Sequence, residues 1–221
     1  MFDNIAGSYD FLNHSLSLGI DILWRRKAIR NIGEIKPEFI LDIATGTGDF
    51  AIEALKLKPK RVVGVDISEG MLAVGRKKMK KVKGGEIIEM VYGDSENLQF
   101  EDNTVDAITV GFGVRNFENL SKGLTEMHRV LRKGGRVAIL EPSTPKKFPM
   151  KQLFFFYFLK VLPFFGKLIS GDSVAYTYLP ESVRAFPTGK DFVEICNKAG
   201  FSQTTYKPLT FGICAMYILE K

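Results

Sequence analysis

The sequence predicts an α/β fold: a doubly wound, seven-stranded and mostly parallel sheet, with helices on both faces and an antiparallel hairpin at its C-terminal edge. Three observations lead there. From Phe39 to Leu140, short apolar runs alternate with segments of helical period. Glycines such as Gly46, Gly48, Gly84 and Gly134 punctuate the junctions. The last two strand patterns, Ser202–Lys207 and Gly212–Glu220, leave no room for a helix between them, so they pair antiparallel. Strands alternating with helices bury both faces of a parallel sheet, and right-handed crossovers fix the winding.

Residues 1–36 read as a helical cap. Ile20, Leu23, Trp24, Ala28 and Ile32 form an apolar stripe, Arg25, Arg26, Lys27 and Arg30 take the other side, and Pro37 closes the segment. The core, residues 38–141, begins with strand Phe39–Ile43 and a helix over Asp49–Leu57. Strand Arg61–Val65 follows Pro59, and Ser68 is placed to cap the next helix. Glu86–Val91 and Asp106–Val110 read as strands three and four. A helix with Leu120, Leu124, Met127 and Leu131 on one face ends at Gly134-Gly135, and Arg136–Leu140 is strand five.

Residues 143–187 break the rhythm. Three prolines lead into LFFFYFLKVLPFFGKLI, with six phenylalanines in one run. It is too short and too interrupted to span a membrane. Two readings stay open: buried core beneath an insert, or a channel wall that touches a bilayer. Residues 188–221 restore the pattern. Thr188 and Asp191 resemble a capping box ahead of Phe192, Ile195, Cys196 and Ala199.

Composition narrows the class. The 221 residues are 45% hydrophobic and 25% charged, as in an ordinary globular domain. The net charge is +6, and the five lysines between Ser143 and Ile169 account for most of it. A charge so local argues against a nucleic-acid partner. Cys196 and Cys214 form no CxxC pair, so neither zinc nor a disulfide framework is expected, and a reducing cytoplasm fits. No secretory leader pattern is visible at the start.

The chemistry belongs at the carboxyl ends of the strands. After strand one comes Gly46-Thr47-Gly48, a turn that lets a ligand approach the backbone. It lacks the third glycine of a dinucleotide fingerprint and the lysine of a P-loop. Flanking acids Asp42 and Asp49 disfavour a pyrophosphate and favour a zwitterion carrying an ammonium group. Strand two ends at Asp66, suited to a ribose. Strand three ends at Gly93-Asp94-Ser95, suited to an adenine, and strand four at Gly111-Phe112-Gly113. Amino acid, ribose and adenine together spell S-adenosylmethionine.

At this point a resemblance enters. Tyr9–Arg25 (YDFLNHSLSLGIDILWR) and Arg129–Ser143 (RVLRKGGRVAILEPS) resemble the two signatures of the quinone C-methyltransferases of ubiquinone and menaquinone synthesis. ILDIATGTGD, DNTVDAITVGFGVRN and GDSVAYTYLPESVRAFP are similar to other blocks of that family. The resemblance implies a single Rossmann-like class I methyltransferase domain over residues 1–221. It also implies cofactor contacts at Thr47, Asp66, Asp94 and Ser95, beside the close backbone approach expected at Gly46 and Gly111, and methylation of a ring carbon of a lipid-tailed demethylmenaquinol-type hydroquinone. Gly111 stands where the family often has serine, so only backbone remains there. Asp21 stands where a histidine is common.

Candidates for assisting proton loss from the quinol are Tyr9, His14, Asp21 and Arg115. Arg115, just after strand four, has two readings: a fixed charge that stabilises a developing phenolate, or an ion pair that orders its loop. Peripheral membrane contact through residues 143–169 is the expectation for a lipid-tailed substrate, and an oligomer is compatible with the chain. The rivals are a methyltransferase for another small molecule, a nicotinamide-linked oxidoreductase, and a non-enzymatic module that binds a cofactor or nucleic acid.

Overall fold

The computed structural model describes Ser17, residues 19–157 and residues 181–221. Tyr9, His14 and much of the phenylalanine-rich run therefore lie outside the described residues.

Seven strands form one sheet: β1 (Phe39–Ile43), β2 (Arg61–Asp66), β3 (Ile88–Tyr92), β4 (Val105–Gly111), β5 (Leu131–Pro142), β6 (Gln203–Leu209) and β7 (Cys214–Glu220). Their order across the sheet is β3-β2-β1-β4-β5-β7-β6. β1 to β5 run parallel, while β7 is antiparallel to both β5 and β6. The expected C-terminal hairpin thus exists, with β7 inserted between β5 and the edge. Strand order reverses between β1 and β4, and the crevice at such a point is where open α/β sheets bind ligands.

The parallel strands are mostly apolar at their centres because the sheet is covered by a core on each face. Along β1, Leu41 and Ile43 enter one core and Ile40 the other. The first core packs helices α4 (Leu120–Val130) and α6 (Lys190–Lys198), through Leu124, Met127, Phe192 and Cys196. The second packs α1 (Ile20–Gly33), α2 (Asp49–Ala54) and α3 (Glu69–Met79), through Trp24, Ala28, Ile32, Ala51 and Leu72. Burying each large aliphatic side chain contributes about 1.5–3 kcal/mol.

Local signals mostly hold. Ser68 Oγ accepts from the Met71 N–H at 3.2 Å and caps α3. Some expectations are corrected. α6 starts after Gly189, whose φ is 68°, and has no side-chain cap, so Thr188 and Asp191 make no capping box. α4 stops at Val130, before the glycine pair. Leu131 already pairs with Val105, and Gly134, at φ 74°, sits in the irregular stretch before Arg136 resumes the ladder.

α1 gives the most useful correction. Leu23 is 58% exposed, while Asp21 and Arg25 are buried. The inward face is 21, 24, 25, 28, 29 and 32, a regular helical stripe. Its two charged members disguise it in the sequence, where Arg25 reads as part of a solvated face.

Candidate active site

Four strand tips converge on one cavity of about 290 Å³. β3 contributes Asp94 and Ser95, β2 Asp66, β1 Gly46, and β4 Gly111 with Phe112 and Gly113. Strands neighbour one another at ~4.8 Å, so the row from β3 to β4 spans roughly 14 Å. Of the expected cofactor residues, Gly46, Asp66, Asp94, Ser95 and Gly111 share this cavity, and Thr47 lines a smaller recess of about 40 Å³ beside it.

Asp66 ties the rim together. One carboxylate oxygen accepts from the Gly46 N–H at 2.8 Å and the other from the Ser68 N–H at 2.9 Å. Each carboxylate oxygen offers two acceptor positions, so the group holds the glycine turn and retains capacity toward the cavity. Asp94 accepts from the Glu96 N–H at 2.8 Å in a tight turn at the edge of the cavity. Glycine is required where backbones close up. A Cβ on Gly113 would stand 2.4 Å from the Ala44 Cβ, and one on Gly111 3.0 Å from the Phe50 ring. A serine at 111 would press on Phe50.

Two non-glycine residues at the rim hold left-handed backbone, Ala44 at φ 51° and Phe112 at φ 61°. Such conformations are costly for a bulky residue and cluster at functional sites. Phe112 is held by its N–H to Leu140 O at 2.7 Å and by an edge contact from Trp24 at 6.2 Å. Sequence reasoning looked only for acids and glycines at the tips, so it missed the apolar walls Ala44, Ile67, Met71, Phe112 and Phe117. Ile67 had a signal, an apolar residue directly after the acid that ends β2, and it is 65% exposed.

Asp42 and Asp49 are already engaged. Asp42 is fully buried in β1 and accepts from Thr45 Oγ1 at 2.5 Å, Thr109 Oγ1 at 2.6 Å and the Ala51 N–H at 3.1 Å. It braces the glycine turn from beneath. Asp49 pairs with Lys78 and stands 3.3 Å from Arg25.

Burial pushes the Asp42 carboxyl up from 3.8 to about 6, outweighing the hydroxyl bonds that favour its charge. Between those two values the folded chain keeps a proton that the unfolded chain has released. The group therefore costs stability as pH rises through that window, on the order of 3 kcal/mol by its upper end. In denaturant titrations, Asp42→Asn should gain on the wild type progressively from pH 4 to 6. A difference constant over that range would contradict the assignment.

Arg115 does not line the cavity. Its Nη1 pairs with Glu141 Oε2 at 3.1 Å and donates to Phe112 O, and its N–H reaches Glu141 Oε1 at 3.3 Å. The side chains are 8% and 0% exposed, and burial raises the Glu141 carboxyl against the pull of Arg115. The pair fastens the end of β4 to the end of β5. Asp21 accepts from Ser17 Oγ at 2.6 Å and pairs with Arg25. His128 packs edge-on against Phe201 at 5.3 Å, on the other core.

The profile of the ubiE/COQ5 methyltransferase family matches residues 1–221. The chain belongs to this family. Its similarity extends to a demethylmenaquinone methyltransferase of Bacteroides fragilis, 54% identical over all of this chain and 91% of the relative. It also extends to the ubiquinone/menaquinone biosynthesis C-methyltransferase UbiE of Geobacter sulfurreducens, 46% identical over all of this chain and 87% of that one. The fold matches the crystal structure of a putative S-adenosyl-L-methionine-dependent methyltransferase from Methanococcus maripaludis. That match has a TM-score of 0.68 at 19% identity, over all of this chain and 94% of the other. The [4+2]-cyclase SpnF shares the fold too, at a TM-score of 0.65 and 15% identity over 89% of this chain and 81% of that one, so fold alone does not name a reaction. Membership of the ubiE/COQ5 family makes this chain a methyltransferase that depends on S-adenosylmethionine.

The site fits that cofactor: an elongated cavity, a carboxylate beside its middle, a polar turn at the β3 end, and apolar walls between.

Proposed function

We propose that this ubiE/COQ5 family member transfers a methyl group from S-adenosylmethionine to a ring carbon of demethylmenaquinol, giving menaquinol. The observation that carries the cofactor half is the ordered row of Asp94–Ser95, Asp66, Gly46 and Gly111 around one cavity. The substrate half is supported by the relatives named demethylmenaquinone methyltransferase.

S-adenosylmethionine, when bound, supplies an electrophilic methyl. The chain's own part is to hold and screen. Asp66 fixes the glycine turn and accepts from sugar hydroxyls. Asp94 and the Ser95 backbone face the base, and Gly46 and Thr47 face the amino-acid end. Ile67, Met71, Phe112 and Phe117 give the cavity its apolar walls. Alignment within near-attack distance supplies most of the acceleration. Arg115 acts in this reading as a positioning residue: with Glu141 it sets the Phe112 carbonyl and the Gly113–Asn116 turn, whose Gly113 and Asn116 line the cavity. Tyr9, outside the described residues, is in this reading the partner for the quinol hydroxyl.

The lipid tail has a place to go. Phe148, Leu153 and Phe156 are 81%, 56% and 63% exposed around helix α5 (Met150–Phe156), and Lys146, Lys147 and Lys151 stand among them. Exposed aromatics beside lysines suit the interface of an anionic bilayer, at about 1 kcal/mol per lysine. Among the described residues no helix is long and apolar enough to cross a membrane. In flotation with vesicles containing phosphatidylserine, Lys146→Gln, Lys147→Gln and Lys151→Gln together should cut bound protein at least tenfold. Binding that never occurs, or that ignores the lysines, would remove membrane contact from the account.

Methyl-transfer assays with short-tailed and long-tailed reduced demethylnaphthoquinones test the substrate. Turnover rising with tail length is expected. Indifference to the tail would favour another small aromatic substrate.

A further inference from the structure

We propose that the turn between β6 and β7 is a second membrane-contact point, with Phe211 as a wedge that enters the bilayer beside the cavity mouth. The inference rests on the bilayer contact read above and adds to it a residue remote from helix α5 in sequence.

The turn holds two non-glycine residues in left-handed backbone, Thr210 at φ 44° and Phe211 at φ 58°. That conformation is costly for a β-branched or aromatic side chain. Burial does not repay it, because Phe211 is 78% exposed. Yet the turn is fixed on both sides. Trp24 Nε1 donates to Thr210 Oγ1 at 2.8 Å, Ser143 Oγ to Gly212 O at 2.8 Å, and the Ser143 N–H to Ile213 O at 2.8 Å. An exposed aromatic ring on a strained, locked turn is preorganised for something outside the chain.

Place and charge select the partner. Cys214 of β7 pairs antiparallel with Pro142 of β5, so the turn stands at the carboxyl ends of the parallel strands, on the rim where the cavity opens. Trp24 links the two, since its ring also meets Phe112 of the cavity wall edge-on at 6.2 Å. On its other side the turn abuts the lysine-bearing segment: a Cβ on Gly212 would stand 3.5 Å from Pro145 Cα. Lys146, Lys147 and Phe148 follow at once and are exposed, as are Lys151 and Lys207. Residues 143–157 and 203–213 contain these four lysines and no acid. Aromatic rings among cations match acyl chains beneath anionic headgroups. A second copy of the chain fits less well, because a two-fold contact would set the lysines against one another. Contact at both Phe148 and Phe211 turns the rim toward the membrane, where a lipid-tailed quinol resides.

Flotation with vesicles containing phosphatidylserine tests the wedge, with Phe211→Gly as the main variant. Glycine takes left-handed backbone without strain, so the variant should melt at or above the temperature of the wild type. Its partitioning onto vesicles should nevertheless fall about tenfold, with S-adenosylhomocysteine affinity within about twofold of wild type. A ring that mattered only to the fold would lower the melting temperature instead. Phe211→Asn also tolerates this backbone and is read the same way if the glycine variant fails to fold. Phe211→Trp should float like the wild type, and brominated lipid should quench its added fluorescence beyond any quenching of Trp24. Unchanged flotation of Phe211→Gly, or no added quenching in Phe211→Trp, overturns the wedge while leaving the lysine contact to its own test. Self-association of the wild type that Phe211→Gly abolishes, with flotation untouched, overturns it in favour of a second copy. A wild type that never floats overturns both the wedge and the bilayer contact on which it rests.

Discussion

Asp66→Ala should lower affinity for S-adenosylhomocysteine at least 100-fold, the largest binding effect expected of any single change at this site. The carboxylate makes two charge-assisted bonds to the rim, to the Gly46 N–H at 2.8 Å and the Ser68 N–H at 2.9 Å. In the proposed complex it also accepts from the sugar. Charge-assisted bonds contribute about 1.5–3 kcal/mol each. Losing the ligand's bond together with the pre-set glycine turn compounds the effect. Asp66→Asn keeps the shape but sets its amide NH2 against one of the two N–H donors and loses the charge, so it should also weaken binding, by less than the alanine. Titration calorimetry reads this directly. Binding within threefold of wild type would mean that no sugar sits at the end of β2.

The largest stability effect is expected at Arg115 and Glu141. Glu141 is fully buried and Arg115 nearly so. Glu141→Ala strands a buried guanidinium and should cost about 3–5 kcal/mol in denaturant unfolding. Arg115→Ala strands a buried carboxylate and should cost a similar amount. The double variant Arg115→Met with Glu141→Leu should recover most of that loss, because Arg115 Nε already lacks a partner in the native pair. Additive losses would show that the two do not act as a pair. This bears on catalysis, because a turnover defect in Arg115→Ala has two sources. Measured well below the melting temperature, Arg115→Ala should still lower turnover more than S-adenosylmethionine affinity, through the displaced Phe112–Asn116 turn. Unchanged turnover would take Arg115 out of the mechanism.

These two sites also show what a sequence can and cannot carry. The row of tips was legible because each acid or glycine directly follows an apolar strand, and strand ends are where an open sheet binds its ligand. Asp66 needed no more than that rule. The partner of Arg115 was not legible: Glu141 lies 26 positions on, and only the pairing of β4 with β5 brings them together. The partners of Asp42 and Asp49 were not legible either. Nothing local says that Thr45, Thr109, Lys78 and Arg25 will satisfy them. The burial of Arg25 was hidden by its charge, which breaks the apolar stripe of α1 although its spacing continues it. Thr188 failed as a cap because the chain turns through Gly189, in a conformation that local pattern does not predict.

Carbon methylation of a reduced quinone at the β3-β2-β1-β4 rim is tested most directly by following a labelled methyl group. The chain is incubated with S-adenosylmethionine carrying a ¹³C methyl and a reduced, long-tailed demethylnaphthoquinone, and the product is read by NMR. The account predicts label in a methyl bonded to a ring carbon, with formation lost in Asp66→Ala. Label in a methoxy group, or ring methylation that survives Asp66→Ala undiminished, would contradict it.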